Sequence, residues 1–316
     1  MIPKICLAPL KGVTDAIFRT TYAEFFDGVD WAITPFLTTV QGTRVKPHHL
    51  RQVMPENNPL MPVVPQIISK TAANFVFLAQ ALSDLGYSSV NWNLGCPYPM
   101  VAKKGRGSGM LPNPERVVAF LDHVLTALKI RLSIKMRLGR FLSDDIEKLL
   151  PLLNGYPIES ITIHPRTGVQ MYSGRPDLDA FERCLALTRH PVIYNGDIVR
   201  RKDYEGLQNR FPLIDTWMIG RGAIMDPFLP SDIKWPHEDG GDRISQFRAF
   251  HDRLFERYQA ALSGPSHLLD RMKGLWRYFS EGFEDGRVMR KRIHKTTRIE
   301  HYLDVVQHCF DDNRRE

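Results

Sequence analysis

Cysteine is scarce in this chain: four in 316 residues, at positions 6, 96, 184 and 309. No Cys-x-x-Cys pair and no zinc-type Cys/His spacing occurs, so neither a disulfide framework nor a bound metal is expected. Scattered thiols of this kind fit a reducing cytosol. Long apolar runs are missing as well. Nowhere do about 18 apolar residues follow one another, which excludes an expected membrane-spanning helix. Met1-Ile2-Pro3-Lys4 runs straight into an apolar strand without the layout of a secretory leader, so a cytoplasmic protein is expected. Internal repeats and low-complexity tracts are absent, and no long exposed heptad pattern calls for an obligate partner, so a monomer is expected. Gly105-x-Gly107-x-Gly109 lacks the preceding strand and spacing of a nucleotide fingerprint and reads as a mobile loop.

What remains draws the eye to one stretch. Asn93-Leu94-Gly95-Cys96-Pro97 ends the apolar run Ser89-Val90-Asn91-Trp92-Asn93, and Lys103-Lys104-Gly105-Arg106 follows. Cys6, Cys184 and Cys309 read as small buried apolar residues. Cys96 sits in a turn after a strand, where side chains are placed over pockets. Buried packing and catalysis both stay open for it on spacing alone.

With 43% hydrophobic and 24% charged residues, the chain has material for one large barrel domain and a smaller one. Apolar strand-like runs fall near 4–10, 31–36, 63–68, 89–95, 132–138, 160–166, 191–197 and 216–222. Amphipathic stretches at 72–85, 113–129, 143–153 and 177–189 lie between several of them. Strands alternating with helices at this period predict an α/β fold, a parallel (β/α)8 TIM barrel over 1–235. The strands finish on functional residues: Pro9, Gln66, Asn93, Cys96, Lys135, Arg137, His164, Arg166, Asn195, Asp197, Gly220 and Arg221. In such a barrel the carboxyl ends of the strands converge on one face, where sites are built.

Leu229-Pro230-Ser231 and His237–Asp242 read as a linker. A small all-helical domain is expected over 243–316, with one break at Ser263-Gly264-Pro265. The net charge is +7. Between 271 and 298 it concentrates into nine basic residues against three acidic ones, interleaved with Trp276, Tyr278, Phe279 and His294. A solvated helical face would explain this; a surface for nucleic acid explains the aromatics too, since bases stack on them.

Asn195-Gly196-Asp197 and Gly220-Arg221-Gly222 close the last two strands with glycines and an arginine suited to a phosphate. Sugar-phosphate enzymes and flavin mononucleotide (FMN) enzymes share that pattern. Lys135 would face the barrel mouth. A buried lysine wants an anion, which a reduced flavin supplies near N1; a Schiff-base lysine is the other reading. Gln66 could bond the pyrimidine edge of the same ring.

Taken together these residues resemble the dihydrouridine synthase family, flavoenzymes that reduce uridines in tRNA. The resemblance runs through Ala8-Pro9-Leu10-Lys11-Gly12-Val13-Thr14-Asp15, Gln66, Asn93-Leu94-Gly95-Cys96-Pro97, Gly107-Ser108-Gly109 with Leu111, and Lys135-Met136-Arg137-Leu138-Gly139. It continues through His164-Pro165-Arg166-Thr167, Asn195-Gly196-Asp197 and Gly220-Arg221-Gly222-Ala223. By that similarity Cys96 matches the proton donor, while Pro9, Leu10, Lys11, Gln66, Lys135, Asn195, Gly196, Asp197, Gly220 and Arg221 match FMN contacts. His164 and Asn93 match positions at the flavin face and the bound uracil, and Tyr172 a tyrosine lining the RNA path. Arg137, Arg166, Tyr278 and Arg292 are further expected substrate contacts, with Lys103 and Lys104 as phosphate contacts. Arg271-x-Lys273 with Tyr278 resembles the bacterial subfamily acting on position 16 of the D-loop.

Asn91 stands where the family usually has Asp, Pro165 where it has a small residue, and Pro176-Asp177-Leu178 where Asp-Trp follows the Tyr172 loop; Lys11 replaces a small or acidic residue. The resemblance implies hydride from reduced FMN to uracil C6, a proton from Cys96 to C5, and NADPH or NADH as reductant. A thiol with pKa of about 8.5 is protonated at neutral pH and can act as that acid. Two rivals remain: an FMN barrel reducing a free metabolite such as dihydroorotate, and a non-catalytic RNA-binding barrel.

Overall fold

A computed structural model of the protein describes residues 2–39, 45, 47–236 and 241–312. Ten strand segments, all paired in parallel, form one sheet. Two of its staves are each split by proline. Trp31–Ile33 and Leu37–Thr38 flank Pro35, and Val63–Val64 and Gln66–Ile68 flank Pro65. Proline has no N–H to donate to the ladder, so each stave is interrupted there and resumes. Ala32 pairs with Val63 and Leu37 with Ile67, so the sheet's two ends belong to the same two staves and the barrel closes.

The staves are β1 (Lys4–Leu7), β2 (31–38), β3 (63–68), β4 (Ser89–Leu94), β5 (Arg131–Gly139), β6 (Ile158–Thr167), β7 (Val192–Asn195) and β8 (Thr216–Ile219). The helices among them are α1 (Ala16–Phe25), α2 (Ala72–Asp84), α3 (Pro114–Ala127), α4 (Asp145–Leu153), α5 (Leu178–Leu187) and α6 (Arg201–Arg210). Their starts are written in the sequence. Asp15 accepts the Phe18 N–H at 2.9 Å and Asp177 the Ala180 N–H at 2.8 Å, each satisfying a donor the first turn leaves free. Outward-facing strand residues and the helices packed on them form the main core, with Trp92 of β4 stacked on Phe120 of α3 at 4.0 Å between ring centroids, while Cys6, Ala8, Ile33, Ile193 and Met218 form a separate small cluster.

After β8 come α7 (Arg221–Met225) and α8 (Leu229–Lys234). The linker expected at 229–231 is therefore helical; Pro230 occupies the first turn, where a missing N–H costs nothing. Residues 237–240 of the second expected linker segment lie outside the described residues. Beyond them the chain is helical, as expected: α9 (Arg243–Ala261), α10 (Pro265–Phe279), α11 (Gly286–Lys295) and α12 (Ile299–Asp312). The break at 263–264 is present, but the chain also turns at 280–285 and 296–298. The first of these turns needs glycine: a side chain at Gly282 would lie 2.5 Å from the Met225 carbonyl oxygen.

This helical segment packs on α1. The Phe250 ring lies 5.9 Å from Phe18, 6.3 Å from Tyr22 and 4.9 Å from Phe26. Tyr258 donates to Asp15 at 2.8 Å. The apolar core thus runs without interruption from the barrel into the tail. Among the described residues no helix is long and apolar enough to cross a membrane.

Candidate active site

The carboxyl ends of the staves surround a cavity of about 330 Å³. Successive strand residues alternate between faces, so Asn91 and Asn93, Lys135 and Arg137, and His164 and Arg166 each point inward as pairs. Sixteen of the sequence-predicted residues line this cavity: Cys96 and Asn93, the whole expected FMN set from Pro9 to Arg221 including His164, and Arg137, Tyr172 and Tyr278. Six do not. Arg166 is buried beneath the cavity wall, and Lys103, Lys104, Arg271, Lys273 and Arg292 lie elsewhere.

Cys96 is held by backbone contacts on both sides. Asn93 Oδ1 accepts the N–H groups of Gly95 at 3.1 Å and Cys96 at 2.8 Å, and Ser108 donates its N–H and hydroxyl to the Cys96 carbonyl at 3.2 and 2.9 Å. Gly107, with φ of +55°, lies so close that a Cβ there would sit 2.8 Å from Cys96 Cβ. Only 6% of Cys96 is exposed. Burial pushes its thiol above the ordinary value, against weaker opposing effects of the Tyr98 backbone, Lys11, Arg137 and Lys135. The group is a protonated thiol at neutral pH.

A side-chain ladder runs under Asn93. Asn93 Nδ2 donates to Gln66 Oε1 at 2.7 Å, Gln66 Nε2 to Asn91 Oδ1 at 2.7 Å, and Asn91 Nδ2 to Ser133 Oγ at 2.9 Å. Gln66 and Asn91 have no exposure at all. The ladder fixes the amide orientations of Gln66 and Asn93, which line the cavity, and sequence reading missed Asn91 and Ser133 as its members. The period-two spacing of Asn91 and Asn93 on one strand carries that signal.

Lys135 makes no hydrogen bond or ion pair among the described residues. Burial, then the Arg137 charge, draws its ammonium down to about 7. An uncompensated cation in such a place fits an anionic or electron-rich ligand edge. Burial also lowers Arg137 to about 10; its Nη1 donates to the Thr167 carbonyl at 2.8 Å and its guanidinium lies 5.4 Å from the Tyr172 ring centre. Arg221 lies against the same ring at 5.1 Å. Asp197 accepts from Arg166 at 2.9 and 2.5 Å and from Arg221 at 2.6 Å. Burial works to raise the Asp197 carboxyl, but the Arg166 bonds and charge, then Arg221, outweigh it and hold the group ionised below its usual value.

Packing requires glycine at 222: a side chain there would stand 2.0 Å from the Ile198 carbonyl oxygen, so the segments that follow β7 and β8 meet backbone to backbone. Gln66 and Lys135 could hold the edge of a flavin ring, and the backbone at Gly196 and Gly220 could hold a phosphate.

Outside the cavity, Arg277, Arg287, Arg290, Lys291 and His294 line a groove between α10 and α11. Lys103 and Lys104 are exposed on the loop after Cys96. Arg271 and Lys273 have internal partners instead. Arg271 donates to the Gly12 carbonyl, pairs with Asp15 at 3.3 Å and covers Tyr258 at 5.1 Å; Lys273 donates to the Thr296 carbonyl. Arg292 is exposed, 4.0 Å from Asp312. Among the described residues no cluster of His, Cys, Asp and Glu could hold a metal ion.

Comparison with known proteins adds to this geometry. The family model described as Dihydrouridine synthase (Dus) matches residues 6–314. A probable tRNA-dihydrouridine synthase of Rhodobacter capsulatus is 27% identical over 264 residues, covering 83% of this chain and 80% of that one. One from Staphylococcus epidermidis is 29% identical over 262 residues, covering 81% and 79%. Among solved structures, morphinone reductase in complex with tetrahydroNAD superposes with a TM-score of 0.53 at 11% identity, over 77% of this chain and 90% of that one. Histamine dehydrogenase from Rhizobium sp. 4-9 gives 0.57 at 11% identity, covering 78% of this chain and only 49% of that one. At such identities these two speak for the barrel alone.

Proposed function

Because the chain belongs to the dihydrouridine synthase family, we propose that it reduces uridine in tRNA to 5,6-dihydrouridine, with FMN as its cofactor and NADPH or NADH as the electron source. The observation that carries this reading is the Cys96 thiol: buried, kept protonated, and fixed at a cavity that also presents Lys135, Gln66 and Asn93. Saturating the C5–C6 bond of uracil takes a hydride and a proton. Reduced FMN would supply the hydride.

Cys96 holds the proton for C5, and a neutral thiol is the competent form of that acid. Gln66 and Lys135 would hold the flavin edge, and the Asn195–Asp197 and Gly220–Gly222 segments its phosphate. Arg137 and Tyr172 would meet the base. The tRNA must turn the target nucleotide out of its stack, which costs a few kcal/mol. The groove of Arg277, Arg287 and Lys291, together with exposed Lys103 and Lys104, would offset that cost through phosphate contacts. In this reading residues 1–235 carry catalysis and 243–316 hold the RNA, the protein works as a cytoplasmic monomer, and the target is position 16 of the D-loop.

A free pyrimidine substrate would leave the basic groove without a role. The deciding experiment incubates the flavin-loaded protein and NADPH with unmodified tRNA and maps dihydrouridine by mass spectrometry. Dihydrouridine at position 16 supports the whole reading, and another position revises the site. Turnover of free uracil or dihydroorotate with none on tRNA overturns it.

A further inference from the structure

Arg166 was expected at the substrate, yet only 1% of it is exposed and all five of its N–H donors are taken up inside the protein. Nε donates to the Ser173 carbonyl at 3.3 Å. Nη2 donates to the Gly174 carbonyl at 2.6 Å and to Asp197 Oδ2 at 2.5 Å. Nη1 donates to Asp197 Oδ1 at 2.9 Å and faces His164 Nε2 at 3.1 Å. That last contact has a chemical consequence. A guanidinium cannot accept a hydrogen bond, and it remains charged in any folded protein. His164 Nε2 must therefore be the acceptor, which leaves the ring's proton on Nδ1.

We propose that Arg166 is a positioning residue that locks His164 as the neutral Nδ1–H tautomer, so that the imidazole offers the cavity a fixed hydrogen-bond donor and never a proton acceptor. The ring lines the cavity, and its Nδ1 meets no protein partner among the described residues. The charged groups around it are Arg137 and Lys135 from β5, Arg166 from its own strand and Arg221 after β8, with Asp197 as the one nearby carboxylate. Burial and these four cations, in that order, hold its pKa well below the ordinary value, consistent with a ring that stays neutral. The same five bonds tie the turn at 173–174, and with it Tyr172, to the β7 end at Asp197. Arg166 thus joins the tautomer of one cavity residue to the placement of another. An N–H donor at this place suits an electron-rich acceptor atom on a flavin ring or a uracil carbonyl. What the donor meets rests on the function proposed above; the tautomer does not.

The test labels histidines with 15N in the flavin-loaded protein and reads the ring-nitrogen shifts by NMR, assigning His164 by its loss in His164→Gln. The expected result is an Nδ1–H pattern that stays unchanged from about pH 6 to about pH 8, where a free histidine titrates. An Nε2–H pattern, or protonation near pH 6.5, overturns the proposal without any variant. In Arg166→Lys, whose ammonium lacks the planar fork, His164 should show mixed tautomers, with kcat reduced at least tenfold and KM changed less. Retention of the wild-type ring pattern in that variant also overturns it. Arg166→Ala should recover the Nδ1–H pattern when guanidinium is added at millimolar concentration, a readout that loss of packing alone would not move. Because the ring shifts are read with no substrate present, a chain inactive on tRNA can still pass or fail.

Discussion

Asn93 grips the backbone of Cys96 through a single oxygen, which takes the Cys96 N–H at 2.8 Å and the Gly95 N–H at 3.1 Å. The turn bearing the thiol is thereby fastened to β4, and the other end of the same amide is fastened to Gln66. Proposed acid and proposed flavin contact are built on one hydrogen-bonded support.

Cys96→Ala should keep its bound flavin and still accept electrons from NADPH, while dihydrouridine formation falls by about 10²–10⁴, the range for loss of a general acid. Flavin absorbance and dihydrouridine yield, measured on one preparation, separate the two effects. In the native protein the rate should stay level through neutral pH and fall only as alkaline pH approaches the raised thiol value, because the proposed role needs the protonated form. A rate that rises with pH over that range would contradict the assigned role.

Asn91→Leu should lower stability by about 1–3 kcal/mol, since it leaves Gln66 Nε2 and Ser133 Oγ buried without this partner. Asn91→Asp should be milder: a carboxylate still accepts from Gln66, and the Ser133 hydroxyl can turn to donate. Urea midpoints of the two variants test the order.

Lys135 makes the stability of the flavin-free protein depend on pH. Unfolded, its amine binds a proton up to about 10.4; folded, only up to about 7. Between those values the unfolded chain holds the extra proton, so stability should rise with pH, by at most about 5 kcal/mol across the window. Lys135→Met should flatten the slope. Flavin binding should restore the ammonium, and titration calorimetry in buffers of different ionisation enthalpy would register the proton taken up.

Arg271 and the α11 cations should separate stability from binding. Arg271→Ala removes the contacts to Gly12, Asp15 and Tyr258, so its melting temperature should fall along with any RNA affinity. Arg287 and Lys291 make no ion pair among the described residues, so replacing both by Gln should leave the melting temperature unchanged. Affinity for tRNA should weaken, and its logarithmic salt slope should drop by about 0.7–0.9 for each lost phosphate contact. An unaltered slope would mark α11 as a solvated face.

The barrel was legible because its strands are apolar runs that stop on polar or glycine residues, and one period of strand and helix repeats along the chain. The same strand-end residues, Arg166 excepted, gather around one cavity, since parallel staves bring like ends together. Other features needed three dimensions. Pro35 and Pro65 fall inside apolar runs, and nothing local tells that two broken staves close the barrel. Arg166 resembles a substrate contact in one dimension because its five acceptors come from residues 164, 173, 174 and 197. Arg271 sits in the most basic segment of the chain, where charge counting favours RNA, and its carbonyl partner lies on the loop before α1, 259 residues away. Gly107 was noted in a glycine loop and in the family match, but its closeness to Cys96 emerges only when the chain folds back on itself.

The unbroken aromatic seam in which Phe18, Tyr22 and Phe26 meet Phe250 has a bearing on recognition. It fastens the helical segment that carries α11 to the barrel's own first helix. In the proposed function the molecule would then work as a caliper: a strand seated on the basic groove would present to the pocket the nucleotide lying at that span. Selection among uridines would follow from where the jaws were set at folding, and changing the choice would require moving charges over the surface instead of bending the frame.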